Sequence, residues 1–118
     1  MTVLFFVVSN ELFDLHLALD ETLTNVVSYG YRDGLEHTIL VRMRMLSTEH
    51  ARRIEVEVED DGEPFNPLEA RAPDVHATIE DRPIGGLGIY LVRRVMDDLE
   101  YRRQQGKNVL VMRKTVAG

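Results

Sequence analysis

Three short segments carry residue types that could do chemistry on a nucleotide. In Glu21-Thr22-Leu23-Thr24-Asn25, which lies in a helical pattern, a carboxylate and a carboxamide stand four residues apart and so lie one above the other on a single helix face. Such a carboxylate can take a proton from an attacking hydroxyl or water. The amide oxygen can serve Mg²⁺ as one hard ligand, with water and phosphates supplying the rest. In Asp60-Asp61-Gly62 an alternating run ends at a carboxylate, which accepts hydrogen bonds only and suits an exocyclic amine such as that of adenine. The glycine permits a tight turn or the close approach of a ligand. In Gly85-Gly86-Leu87-Gly88 side chains disappear just before a helical stripe, where free N–H groups and the helix dipole favour phosphate. Each segment also has a plainer counterpart: an exposed helical Glu and Asn, an ordinary Asp-Asp-Gly turn, a flexible glycine hinge. Taken together and in this order they read as a nucleotide site.

Composition limits what such a site can be attached to. The 118 residues suit one domain over 1–118, long enough for a real core and too short for a second. A net charge of −6 argues against duplex DNA or an anionic membrane as the main partner, because both reward a basic face. The absence of cysteine removes disulfides, thiolate metal sites and a Cys nucleophile, and fits a reducing cytoplasm. The apolar run Val3 to Val8 is far shorter than a membrane span and has no basic leader. The expectation is a soluble, cytoplasmic protein. His16, His37, His50 and His76 fall on a helix, a strand, a turn and a loop without ligand spacing, which argues against zinc.

The elements that must position these residues follow from periodicity. Between Glu11 and Tyr29, Leu12, Leu15, Leu19, Leu23, Val26 and Val27 recur at intervals of three and four, predicting an amphipathic helix with that face in the core. Gly30 and Arg32-Asp33-Gly34 end it, and Leu35 to Leu46 alternates like a strand. After a polar turn at Thr48-Glu49-His50, Ile54, Val56 and Val58 point one way and Glu55, Glu57 and Glu59 the other, a half-buried antiparallel strand with a wet face. Residues 63–84 hold all four prolines and no sustained apolar period, as in a long functional lid. Leu87, Leu91, Val92, Val95 and Met96 restore a helical stripe. Leu99 to Arg103 and Asn108 to Lys114 then form a hairpin closed through Gln104 to Lys107. The order is helix, strand, strand, lid, helix, strand, strand: an α+β two-layer sandwich, with a mixed, mostly antiparallel sheet and helices on one face.

The segments in their order resemble the GHKL superfamily of Bergerat-fold ATP-binding domains, and within it the bacterial anti-sigma-factor serine kinases that work by partner switching. Leu17 to Asn25, followed by Tyr29-Gly30-Tyr31, resembles the family's N box. Val58 to Pro67 resembles its first glycine box and Arg82 to Val92 its second, while Gly106 to Leu110 resembles the closing strand. Tyr29 stands where many relatives have histidine. Relatives also carry a first strand and helix ahead of the N box, so the resemblance implies an N-terminally shortened domain, with Met1 to Val8 replacing one of those elements at most.

The resemblance implies roles for individual residues. Glu21 is the general base acting on a serine or threonine hydroxyl of a partner protein, and Asn25 binds the Mg²⁺ that bridges ATP phosphates. Asp60 recognises the adenine amine, with Gly62 letting the base lie against the backbone. Gly86 and Gly88 cradle phosphates, assisted by Gly85. Arg82 pairs with the terminal phosphate or stands as a solvated lid arginine. Asn108 occupies the place of a threonine near the adenine. The implied activity is ATP- and Mg²⁺-dependent serine/threonine protein phosphorylation of an anti-sigma-factor antagonist, with a sigma factor as second partner and a homodimer as the family's usual assembly. Two alternatives remain beside it: a nucleotide-gated binding module without phosphotransfer, and a detached histidine-kinase ATP-binding domain. Neither nucleic acid nor membrane is expected as a direct partner.

Overall fold

The helical stripe of residues 11–29 becomes α1 (Asn10–Asn25), which widens into a π-helical turn at Val26–Gly30. Then follow β1 (Leu40–Ser47), β2 (Arg52–Asp60), a short 3-10 turn at Pro67–Glu69, α2 (Gly86–Val95), β3 (Asp98–Gln104) and β4 (Lys107–Val116). This is a computed structural model, and it describes residues 10–31, 34–69 and 86–116. The element order is the one expected from periodicity. Residues 35–39, expected to open the first strand, precede the ladder, whose first pair is Leu40 with Glu59.

The four strands are arranged β1-β2-β4-β3, and all three pairings are antiparallel. Among the described residues the sheet is therefore antiparallel throughout. Gln104 pairs with Lys107, so β3 and β4 are joined by two residues only, Gln105 and Gly106, with φ of 51° and 73°. Positive φ at both central positions is the type I′ turn whose twist matches a two-residue hairpin.

Both helices pack on the same face of the sheet. Val56 stands opposite Met112 and Val58 opposite Leu110, and these four side chains meet Leu15 and Ala18 of α1 and Ile89 and Val92 of α2. The stripe that α1 buries differs from the hydropathy expectation. Leu15, Ala18, Thr22 and Asn25 are the buried positions, Leu19 and Leu23 lie at the margin, and Leu12 and Val27 are 52% and 58% exposed. Small side chains at 18 and 22 let the helix sit close to the sheet. The Thr22 hydroxyl is satisfied by donating to the Ala18 carbonyl at 2.8 Å, so its burial leaves no orphaned donor.

The opposite face of the sheet is not simply wet. Glu55 is only 4% exposed and accepts hydrogen bonds from Arg44 Nε at 2.6 Å and Arg113 Nε at 2.8 Å. Arg113 also reaches Asp98 and Glu100, and Arg102 bridges Glu57 and Glu100. Beneath this lattice Val109 and Val111 are 1% and 2% exposed. The two valines share this face with the paired ions, opposite Glu57, Glu59, Glu100 and Arg102 in the ladder, and the aliphatic stems of arginine and glutamate can cover apolar surface while their heads remain paired.

Candidate nucleotide site

The site is built at the end of the sheet where β2 meets β4. Asp60 and Asn108 are direct partners in the ladder and share the helix-side face with Val58 and Leu110. Both are nearly enclosed, at 5% and 6% exposure, so their polar atoms must be accounted for. Asp60 Oδ1 accepts from the Gly62 N–H at 2.9 Å and from Asn108 Nδ2 at 3.0 Å. Oδ2 accepts no hydrogen bond among the described residues. One oxygen is locked and the other is open, which is the arrangement a carboxylate needs to receive an amine donor in a fixed direction.

Gly62 follows immediately and lies against Gly30, at the end of the π turn. A Cβ on Gly62 would sit 2.8 Å from both the Cα and the carbonyl oxygen of Gly30, and 3.0 Å from Asp60 Oδ1. The described glycines with positive φ are Gly34 and Gly106, so Gly62 is required by space and not by backbone conformation. The Glu63 N–H donates to the Gly30 carbonyl at 3.3 Å, and Arg103 Nη1 donates to the Gly62 carbonyl at 2.8 Å. The end of α1 is thereby fastened to the turn after β2.

Tyr31 and His37 flank that turn, stacked with centroids 4.0 Å apart and planes 7° from parallel. His37 Nδ1 lies 3.0 Å from Asp61 Oδ1, and this hydrogen bond holds the Asp61 carboxyl below its ordinary range. The Tyr31 hydroxyl is buried and forms no well-aligned hydrogen bond. Burial, followed by the nearby charges of Asp60 and Asp61, pushes its pKa up to about 12, as expected when the phenolate would be both desolvated and repelled.

On α1, Asn25 is 7% exposed, and its carboxamide has no hydrogen-bond partner among the described residues. An enclosed, unpartnered amide fits the single hard-oxygen ligand that a phosphate-bound Mg²⁺ would need from the protein. Glu21, one turn earlier, is half-buried, with neither an ion pair nor a hydrogen bond among the described residues. Gly86 is the first residue of α2 and Gly88 lies in its first turn, so the glycine cluster does open a helix. Arg82 and Gly85 lie outside the described residues, as does most of the segment expected to form a lid. The described part of that segment is tied down: Asn66 Oδ1 accepts from the Leu68 N–H at 2.9 Å, and Arg93 of α2 donates to the Leu68 carbonyl.

Sequence reasoning named Asp60, Gly62 and Asn108 for the site but missed the other residues around them. Tyr101, Arg103 and His37 carry no role in the sequence reading, and Gly30 enters it as a helix end and as part of the Tyr29-Gly30-Tyr31 stretch of the N-box resemblance, without a contact to Gly62.

Residues 5–114 match the histidine kinase-like ATPase domain family. The serine/threonine-protein kinase BtrW of Bordetella bronchiseptica is 31% identical over 100 residues, covering 85% of this chain and 68% of that protein. The serine-protein kinases RsbW of Bacillus mycoides and of Bacillus cereus strain ATCC 10987 are each 31% identical over 103 residues, 83% of this chain and 61% of theirs. The chain thus spans about two thirds of the length of BtrW and somewhat less of RsbW. With an antiparallel sheet under two helices, a carboxylate at the end of β2 and glycines opening α2, the chain belongs to the histidine kinase-like ATPase domain family of GHKL type.

Proposed function

We propose that the chain is an ATP- and Mg²⁺-dependent serine/threonine protein kinase of the partner-switching kind. It phosphorylates an anti-sigma-factor antagonist and in another state holds a sigma factor, working in the cytoplasm. The observation that carries the nucleotide part is Asp60, with Oδ1 engaged by Gly62 and Asn108 and Oδ2 left for an amine. The kinase part draws support from the serine-protein kinases that the chain resembles and from the Glu21 carboxylate, which has no hydrogen bond or ion pair among the described residues. Among the described residues no helix is long and apolar enough to cross a membrane.

In the proposed reaction Asp60 receives the adenine amine, and Gly62, packed against Gly30, steadies the carboxylate through its N–H. Gly86 and Gly88, with Gly85, face phosphate at the start of α2, and Arg82 neutralises charge on the terminal phosphate. Mg²⁺ supplies charge neutralisation on the phosphates when bound, and Asn25 is the residue that would hold it. Glu21 takes the proton from the partner's hydroxyl as the phosphoryl group is transferred, a contribution of about 10²- to 10⁴-fold for a positioned base.

Calorimetric titration with ATP, with and without Mg²⁺, tests the site: Asp60→Asn should abolish binding, and Asn25→Ala should bind without Mg²⁺ dependence. Incubation with ATP and candidate antagonists then tests transfer. Glu21→Ala should keep ATP affinity and lose phosphoserine formation; an unchanged rate would remove Glu21 from its assigned role. Nucleotide-dependent capture of a partner with no phosphoserine in the wild type would favour a binding module that performs no transfer.

A further inference from the structure

Asn108 was expected to touch the nucleotide, yet its amide is fully used within the protein. Nδ2 donates to Asp60 Oδ1 at 3.0 Å and to the Glu63 carbonyl at 2.8 Å. Oδ1 accepts from the Tyr101 hydroxyl at 2.5 Å and from the Phe65 N–H at 3.3 Å. An asparagine amide has two donors and two acceptor lone pairs, so all four are engaged and none is left for a ligand. Its orientation is equally determined. Nδ2 faces a carboxylate and a carbonyl, Oδ1 faces an N–H and an O–H, and a flipped amide would set oxygen against oxygen on one side and N–H groups against donors on the other.

We infer that Asn108 is a positioning residue for base recognition: it holds Asp60 in the one orientation that leaves Oδ2 for the adenine amine. Without it, Oδ1 keeps only the Gly62 N–H, and the carboxylate can turn to share both oxygens between that N–H and water. The same amide fixes Glu63 and Phe65, the residues that lead away from the Asp60-Asp61-Gly62 turn, so one side chain ties the carboxylate to the segment that follows it. Tyr101 supports the arrangement from β3 by occupying one acceptor position. The inference rests on the nucleotide-binding reading above and adds to it the residue that sets purine selectivity.

The test compares ATP with ITP, which carries a carbonyl where adenine has its amine. Titrations of both are made with the wild-type chain, Asn108→Ala and Tyr101→Phe, with circular dichroism to verify folding. A residue that only supported the fold would weaken both nucleotides by one factor. A positioning residue changes their ratio, because only ATP uses the Asp60 direction. Asn108→Ala should lower the ATP-to-ITP affinity ratio by about tenfold, the value of one well-made hydrogen bond to a charged group, while ITP affinity changes little. Tyr101→Phe keeps the ring and removes one of the four bonds; it should lower the ratio about two- to threefold, and it decides the matter if Asn108→Ala does not fold. An unchanged ratio in the folded variants would overturn the inference alone. Absence of nucleotide binding by the wild type would overturn the nucleotide reading and the inference with it.

Discussion

Gly62→Ala is the substitution whose effect the structure determines most directly. The added carbon would lie 2.8 Å from two backbone atoms of Gly30, and ordinary contact begins near 3.4 Å. The end of α1 and the turn after β2 must therefore separate by the difference, about 0.6 Å. Neither neighbour is the tip of a flexible side chain. Backbone displacement of this kind in a packed region costs about 1–3 kcal/mol. The third neighbour is Asp60 Oδ1 at 3.0 Å, so relief in that direction disturbs the carboxylate itself. Gly34→Ala provides the comparison: its φ is +72°, but a Cβ there meets nothing within 4 Å, so only backbone strain of about 1 kcal/mol applies. Urea denaturation should show Gly62→Ala at least as destabilised as Gly34→Ala. ATP titration should show a loss of affinity of about tenfold or more for Gly62→Ala and none for Gly34→Ala, the factor following from one displaced charged hydrogen bond. A Gly62→Ala chain that binds ATP like the wild type would refute the reading that the turn packed on Gly30 is part of the nucleotide site.

Other outcomes follow from the charged groups. Arg113→Ala takes one of two guanidinium partners from the enclosed Glu55 and leaves Arg44 at 2.6 Å; with half of a buried pair removed, unfolding free energy should fall by about 2 kcal/mol in urea denaturation, and a loss indistinguishable from zero would show the lattice to be ornamental. Burial pushes the Glu55 carboxyl up, but hydrogen bonds from Arg44 and Arg113 outweigh it and hold the group below its ordinary 4.5. Its stabilisation is therefore complete above that value and lost as pH falls through the lowered folded value, so acid unfolding followed by circular dichroism should begin at higher pH in Arg113→Ala than in the wild type. Tyr31 behaves in the opposite sense: its pKa is raised from 10.0 to about 12, so its neutral form stabilises the fold fully below pH 10 and loses that contribution as pH rises to 12. Absorbance titration should show an ionisation near pH 12 that Tyr31→Phe removes; one nearer 10 would contradict the enclosure of its hydroxyl.

What the sequence determined by itself was everything set by neighbours along the chain. The three-and-four spacing from Leu12 to Val27 specified a helix, the alternation around Ile54, Val56 and Val58 a strand, and Gln104 to Lys107 a hairpin turn, because backbone conformation and turn geometry depend on adjacent residues. The order of Glu21, Asn25, Asp60, Gly62, Gly86 and Gly88 was equally legible, and so was the family. The tertiary structure alone decided which atoms of those residues are engaged. Hydropathy placed Leu12 and Val27 in the core and Glu55 in water, yet packing exposed the first two and enclosed the third, since a polar residue can be buried once a partner from another strand satisfies it. Asn108 lies 48 residues from Asp60 and Gly62 lies 32 from Gly30. Their meeting depends on the β2–β4 register and on where α1 ends. A single sequence carries no local trace of that register, because it is set by the whole core at once.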